Sequence, residues 1–206
     1  MRKVPLYQDH YYHVYNRAVE KRQIFFDQDD YERFLGNFRL LNDINTLARY
    51  TGERKGKLVE ATAYCLMPNH FHLILYQKAE GGISRLMHKL TVSYAKYFNA
   101  KYRREGTLFQ GPFRANLISD DSYMIQVVRY VHTNPLKLPQ KGKDNQFLKE
   151  FLCNYKWSSL KHYLNPGNEL SIYLRREPIL LYYKNLDQFK RATFISFLET
   201  PFPNPV

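Results

Sequence analysis

Cysteine is scarce in this chain: Cys65 and Cys153 are its only two among 206 residues. They form no close pair, and Cys65 lies in an apolar run that suits a small buried thiol, so a disulfide framework is excluded and a reducing, cytoplasmic setting is expected. Long apolar runs are also lacking. No segment approaches the roughly 18 apolar residues of a membrane span, and the basic start MRKVPLYQDHYYHVY is followed by no apolar stretch of the kind a secretory signal needs. Acidic charge is short as well, with 19 Asp and Glu against 31 Lys and Arg, a net charge of +12. A basic excess of that size favours a polyanionic partner. Internal repeats and low-complexity tracts are missing, and 206 residues suit one domain with an elaborated end or two small units.

What the chain does have is aromatic residues: 18 Tyr and 14 Phe, many interleaved with Lys and Arg. That mixture suits unstacked bases better than a duplex backbone alone. Its organisation reads as alternating strands and helices. Tyr11 to Asn16 is a short aromatic and β-branched strand, followed by a polar bend at Arg17 to Gln23. From Tyr31 to Leu47 the set Phe34, Leu35, Phe38, Leu41 and Ile44 recurs every three to four residues, which predicts a helix. Leu58 to Met67 and His70 to Tyr76 flank Pro68-Asn69 as a hairpin. Ile83 to Arg104 is a long basic helix with Leu86, Leu90, Tyr94 and Phe98 on one face, and Leu108 to Ser119 is a fourth strand, its Gly111-Pro112 demanding an edge or a bulge. Tyr123 to Thr133 is helical and ends near Asn134, since Pro135 follows. This order predicts an α+β fold, a ferredoxin-like split βαββαβ sandwich with an added helix. PLKLPQKGKDNQ reads as a linker, dividing a unit over residues 1–138 from a mainly helical extension over 139–206.

The stretch most able to carry chemistry is YCLMPNHFHLILY, Tyr64 to Tyr76. His70 and His72 stand two residues apart on a strand, so both imidazoles point to the same side. Such a pair is either a metal-ligand pair or two hydrogen-bonded rings on a sheet surface, because an imidazole in an apolar strand must find a partner. A catalytic site needs a third ligand. In VVRYVHTNP, Tyr130 and Asn134 lie at i and i+4 and share a helical face, whereas His132 points elsewhere.

Taken together, YCLMPNHFHLIL, GTLFQGPFRANLISDDSYM, RYVHTNPL and YKWSSLKHY resemble, in family order, the REP-associated tyrosine transposases and related single-tyrosine insertion-sequence transposases, which are HUH nucleases. The resemblance spans most of residues 11 to 163; Phe109, Gly111 and Pro112 depart from the usual family wording. It implies a ferredoxin-like fold, single-stranded DNA substrates beside hairpins, and strand cleavage and transfer through a 5′-phosphotyrosine intermediate. It further implies that His70, His72 and Asn134 hold a divalent ion and that Tyr130 is the nucleophile. Two imidazoles and an amide suit Mg or Mn and also accept Zn.

Other readings stand beside these roles. Tyr130 is one tyrosine of many, Asn134 before Pro135 could cap the helix, and charge with aromatics is equally explained by a non-cleaving hairpin DNA- or RNA-binding protein. His132 reads as packing or support for the site, and His13 on the first strand as a structural hydrogen-bonder or a neighbour of the site. Lys89, Lys96, Lys101, Arg103, Arg104 and Arg114 are the expected phosphate contacts, with Arg175 and Arg176 as further cations; the alternative is a solvated charged face. Trp157, Tyr155 and Tyr163 are expected to hold the extension against the core. Monomer and homodimer fit the residues equally.

Overall fold

The structure, a computed structural model, describes residues 5–45, 50, 52–53, 55–139, 142, 144–165 and 174–199. In chain order its elements are β1 (Tyr11–Arg17), α1 (Gln28–Leu41), β2 (Val59–Met67), β3 (His70–Gln77), α2 (Gly82–Lys101), β4 (Arg114–Ile118) and α3 (Asp121–Thr133). After a 3-10 turn at Asn134–Lys137 come α4 (Asn145–Asn154), α5 (Leu160–Leu164), α6 (Glu177–Leu180) and α7 (Leu186–Glu199). The four strands form one antiparallel sheet in the order β2-β3-β1-β4. That order, with β1 and β3 central, is the ferredoxin-like α+β sandwich expected, and the helical extension follows it.

Alternation along the strands sends side chains to two separate cores. One face carries Tyr12 and Val14 of β1 and Phe71, Leu73 and Leu75 of β3, packed against Phe34 of α1 and Leu86, Leu90, Tyr94 and Phe98 of α2. The other carries Ala63, Cys65, Met67, Ile74 and Ile118, covered by Val127, Val128 and Val131 of α3 and by Leu152, Leu160, Tyr163 and Phe189 of the extension. An ordinary ferredoxin-like sandwich leaves that second face open; here α3 closes it. Asp120 caps α3 by accepting from the Tyr123 amide at 2.9 Å.

Several boundaries differ from the sequence expectation, and α2 is one of them, ending at Lys101 rather than Arg104, with Arg103 at a φ of 50°. α1 stops at Leu41, because Asn42 leaves helical geometry and spends its carboxamide on β2: its Oδ1 accepts from the Leu58 and Val59 amides and its Nδ2 donates to the Val59 carbonyl. Ile44 is consequently 42% exposed rather than on the helix face, and Leu47 lies outside the described residues. β4 begins at Arg114 rather than Leu108. Phe109 still bridges Ala18, but Gly111 takes a φ of 131°, a left-handed-side conformation available to glycine, and the ladder restarts only past Pro112. The expected linker opens with the 3-10 turn, and Gln140, Lys141 and Lys143 lie outside the described residues, as do residues 200–206 of the extension.

The extension covers the exposed edge of β2, where unpaired backbone groups would otherwise invite intermolecular pairing. The Leu66 amide donates to the Trp157 carbonyl, the Ser159 amide to the Tyr64 carbonyl, and the Arg175 amide to the Ala61 carbonyl. Tyr155 and Tyr163 donate their hydroxyls to the Leu66 and Thr62 carbonyls at 2.7 and 2.9 Å, and Trp157 stacks on Tyr31 of α1 with ring centroids 4.3 Å apart. These three aromatics do hold the extension to the core. No described helix is long and apolar enough to cross a membrane.

Candidate active site

The turn between β2 and β3 fixes the histidines. Pro68 and Asn69 form a two-residue turn in which Met67 pairs with His70. The Pro68 carbonyl accepts from the Ile24 and Phe25 amides, and Asn69 Nδ2 donates to the Lys21 carbonyl. The same Asn69 turns its Oδ1 toward His70 Nδ1 at 2.6 Å. A carboxamide oxygen only accepts, so His70 carries its proton on Nδ1 and keeps a lone pair on Nε2. Two residues on, buried His72 has its Nδ1 at 2.9 Å from Nε2 of His13, which reaches across from β1. One of these nitrogens donates to the other; with the proton on His72 Nδ1, His72 Nε2 is likewise free to bind a cation.

Helix α3 delivers the remaining groups to the same face. The Tyr130 ring lies 5.3 Å from His72 and 5.9 Å from His13, edge-on to both. Asn134, one turn further, is wholly buried with its Nδ2 bonded back to the Tyr130 carbonyl and its Oδ1 without a partner among the described residues. A buried acceptor left unpaired is costly unless a ligand supplies the missing interaction. A cavity of about 750 Å³ opens here, lined by Tyr15, Asn16, Arg17, His70, His72, Gln110, Pro112, Arg114, Tyr130 and Lys137.

Charge in the site favours neutral imidazoles. Burial, then Arg17 and Lys137, pushes His70 down to about 4, partly offset by the Asn134 amide beside it. Burial also holds His13 at about 4 and, with His13 and His70 nearby, holds His72 well below the usual range. Neutral rings are the form that binds a metal. Two neutral imidazoles and an amide oxygen are donor types that a divalent ion accepts. Among the described residues there is no cluster of three or more His, Cys, Asp or Glu able to hold one, so an amide would have to complete the set.

His70, His72, His13, Tyr130 and Asn134 thus come together, as does Arg114 at the cavity wall. His132 does not. It is fully buried on another side of α3, with Nε2 2.8 Å from Ser159 Oγ, and belongs to the network that ties the extension to β2. Lys89, Lys96, Lys101, Arg103 and Arg104 sit on α2 and the loop after it, and α2 packs on the opposite face of the sheet from the cavity. Lys101 is engaged by Asp27 and Asp30 at 2.8 and 2.9 Å, and Arg104 donates to Asn99 Oδ1. Arg175 pairs with Glu60 at 2.9 Å and covers the Tyr76 ring, while Arg176 donates to the His162 carbonyl. Sequence reasoning missed Arg17, Gln110 and Lys137. Arg17 was within reach, since it shares the alternation of His13 and Tyr15 and pairs with His70; nothing along the chain marks Lys137.

The family model described as "Transposase IS200 like" matches residues 6–134, more than half of the chain. The chain belongs to the IS200-like transposase family. No curated protein sequence matches this IS200-like chain. Among solved structures, a REP-associated tyrosine transposase bound to a REP hairpin superposes with a TM-score of 0.55 at 14% identity, covering 81% of this chain and 87% of that one. A putative transposase from Deinococcus radiodurans R1 is 18% identical, with a TM-score of 0.38 over 64% of this chain and 95% of its own. A bacterial tRNA(His) guanylyltransferase-like protein in complex with ATP is 15% identical, with a TM-score of 0.40 over 75% of this chain and 73% of its own. The likeness to the first of these speaks for the fold alone.

Proposed function

We propose that this IS200-like family member is a metal-dependent single-stranded DNA endonuclease and strand transferase that acts near hairpins, with Tyr130 as its nucleophile. The observation that carries the reading is the convergence of Tyr130, His70 and His72 on one basic cavity, with the buried Asn134 amide beside His70. The hairpin bound by the REP-associated relative supports hairpin DNA as the partner. His70, His72 and Asn134 would hold Mg or Mn, which when bound polarises the scissile phosphate and offsets its charge.

The side chains of the chain do the rest. Tyr130 passes its hydroxyl proton to water and its oxygen bonds to phosphorus. The bond from phosphorus to the 3′ oxygen breaks, and that oxygen takes a proton from water. A 5′-phosphotyrosine and a free 3′-hydroxyl result, and attack by another 3′-hydroxyl rejoins strands without nucleotide hydrolysis. Arg17, Arg114 and Gln110 face the cavity as donors for the flanking phosphates, and His13 Nε2, by accepting from His72 Nδ1, would leave His72 Nε2 free.

The test is incubation with hairpin-flanked oligonucleotides and Mg or Mn, followed by denaturing electrophoresis. A covalent protein-DNA adduct is expected from the wild type and none from Tyr130→Phe. An adduct that survives the substitution rejects Tyr130 as nucleophile, and hairpin binding without any adduct supports a non-cleaving binder instead.

A further inference from the structure

Lys137 is a residue for which neither the family resemblance nor the expected phosphate contacts gave a role. It ends the 3-10 turn that begins at Asn134, and Pro135 stiffens that turn. Its Nζ stands 3.3 Å from the Tyr130 hydroxyl oxygen and 4.4 Å from the ring centroid, and it lines the same cavity as the histidines. Among the described residues, the carboxylates within ion-pairing range of a lysine are those of Asp27 and Asp30 with Lys101, Glu60 with Lys78 and Asp187 with Lys190, none of them with Lys137. Lys137 therefore directs its Nζ at a phenol oxygen with no described carboxylate paired to it.

We infer that Lys137 is a catalytic residue that donates a hydrogen bond from its ammonium to the Tyr130 oxygen whenever that oxygen is negative, on attack and again on departure. This rests on the reading of Tyr130 as nucleophile. In the forward step the phenolate, having given its proton to water, forms the bond to phosphorus while the bond to the 3′ oxygen breaks and that oxygen is protonated by water. In the reverse step a 3′-hydroxyl attacks and Tyr130 leaves as phenolate. The ammonium keeps all its protons throughout, so it neither supplies nor consumes one. A donor aimed in advance at an atom where charge develops needs no reorganisation during the reaction, and in a partly buried cavity it counts for more than in water. Metal chemistry does not make it redundant: His70, His72 and Asn134 would hold the ion, whereas Lys137 meets the Tyr130 oxygen itself.

Position relative to the metal ligands also separates this role from packing. Lys137 is one of the cations that oppose charge on His70 and His72, so its removal should leave metal binding as tight as before or tighter. Lys137→Met keeps an unbranched chain over the Tyr130 ring and removes only the charge and the donor.

Single-turnover adduct formation, rejoining by an added 3′-hydroxyl strand, hairpin affinity and the half-saturating Mn concentration are measured for wild type, Lys137→Met and Lys137→Arg. Expected for Lys137→Met is a loss of about 100-fold in both chemical rates, with hairpin affinity changed by less than about threefold and no rise in the Mn requirement. Lys137→Arg should recover a large part of both rates. Unchanged rates in Lys137→Met overturn the assignment of Lys137 alone, as does a loss traced wholly to weaker DNA or Mn binding. Absence of any adduct from the wild type overturns the Tyr130 reading and this one together.

Discussion

Acid should loosen the protein through His132. This ring is fully buried, and burial, with His162 nearby, pushes it down to about 3. An unfolded histidine titrates near 6.5, so between those values the unfolded state binds the extra proton and gains from falling pH. The contribution is complete above about pH 6.5 and is lost progressively as the pH falls toward 3. Two pH units below 6.5, at about pH 4.5, one such group costs about 3 kcal/mol, a large share of the 5–15 kcal/mol that holds a typical domain. Urea unfolding at pH 7.5 and 4.5, followed by Trp157 fluorescence, reads the effect because Trp157 stacks on Tyr31 only in the folded chain. His132→Gln keeps a neutral side chain able to reach Ser159 Oγ and cannot be protonated. Its stability difference between the two pH values should be smaller than that of wild type by about 3 kcal/mol, a relative midpoint change of about 1–3 M urea. The site histidines lie apart from His132, titrate equally in both proteins and cancel in the comparison. If both proteins lose the same stability between pH 7.5 and 4.5, His132 is not the buried neutral group described.

Two other outcomes are open to simple measurement. Arg17→Gln with Arg114→Gln, both exposed at the cavity, should weaken hairpin and unstructured DNA alike and reduce the salt slope of binding by about 0.7 to 0.9 per lost phosphate contact. A loss confined to one hairpin with an unchanged slope would mean that these residues read structure instead. Gly82→Ala would place a Cβ 2.3 Å from the Leu58 carbonyl oxygen, a backbone atom that cannot swing aside. We expect thermal denaturation to show destabilisation of about 1–3 kcal/mol, and an unaltered midpoint would contradict the close approach of α2 to the start of β2.

Strand and helix order was legible because each apolar stripe has one period: three to four for Phe34, Leu35, Phe38 and Leu41, and two along β1 and β3. Failures fell where a polar side chain or a glycine overrode the pattern. Asn42 ends α1 by bonding a distant strand, and Gly111 interrupts the edge pairing of β4. Neither partner can be named from local sequence. The extension's aromatics were legible as anchors, yet what they anchor to, the bare edge of β2, follows only from strand order.

By itself the sequence determined that His70 and His72 share a side, since side chains on a strand repeat every two residues, and that Tyr130 and Asn134 share another, since a helix brings i and i+4 together. It also determined that His132 faces away from Tyr130, two residues along the same helix. Only tertiary structure decided that these two sides meet. The βαββαβ topology puts β1 beside β3, which hands His72 the His13 ring and brings Arg17 next to His70. It sends the basic α2 behind the sheet and lets α3 close the front, so the cations at the cavity are Arg17, Arg114 and Lys137 rather than most of those a count along the chain would choose. Local periodicity fixes a side chain's direction from its own element; its partner depends on which elements pack together, and that is a property of the folded chain alone.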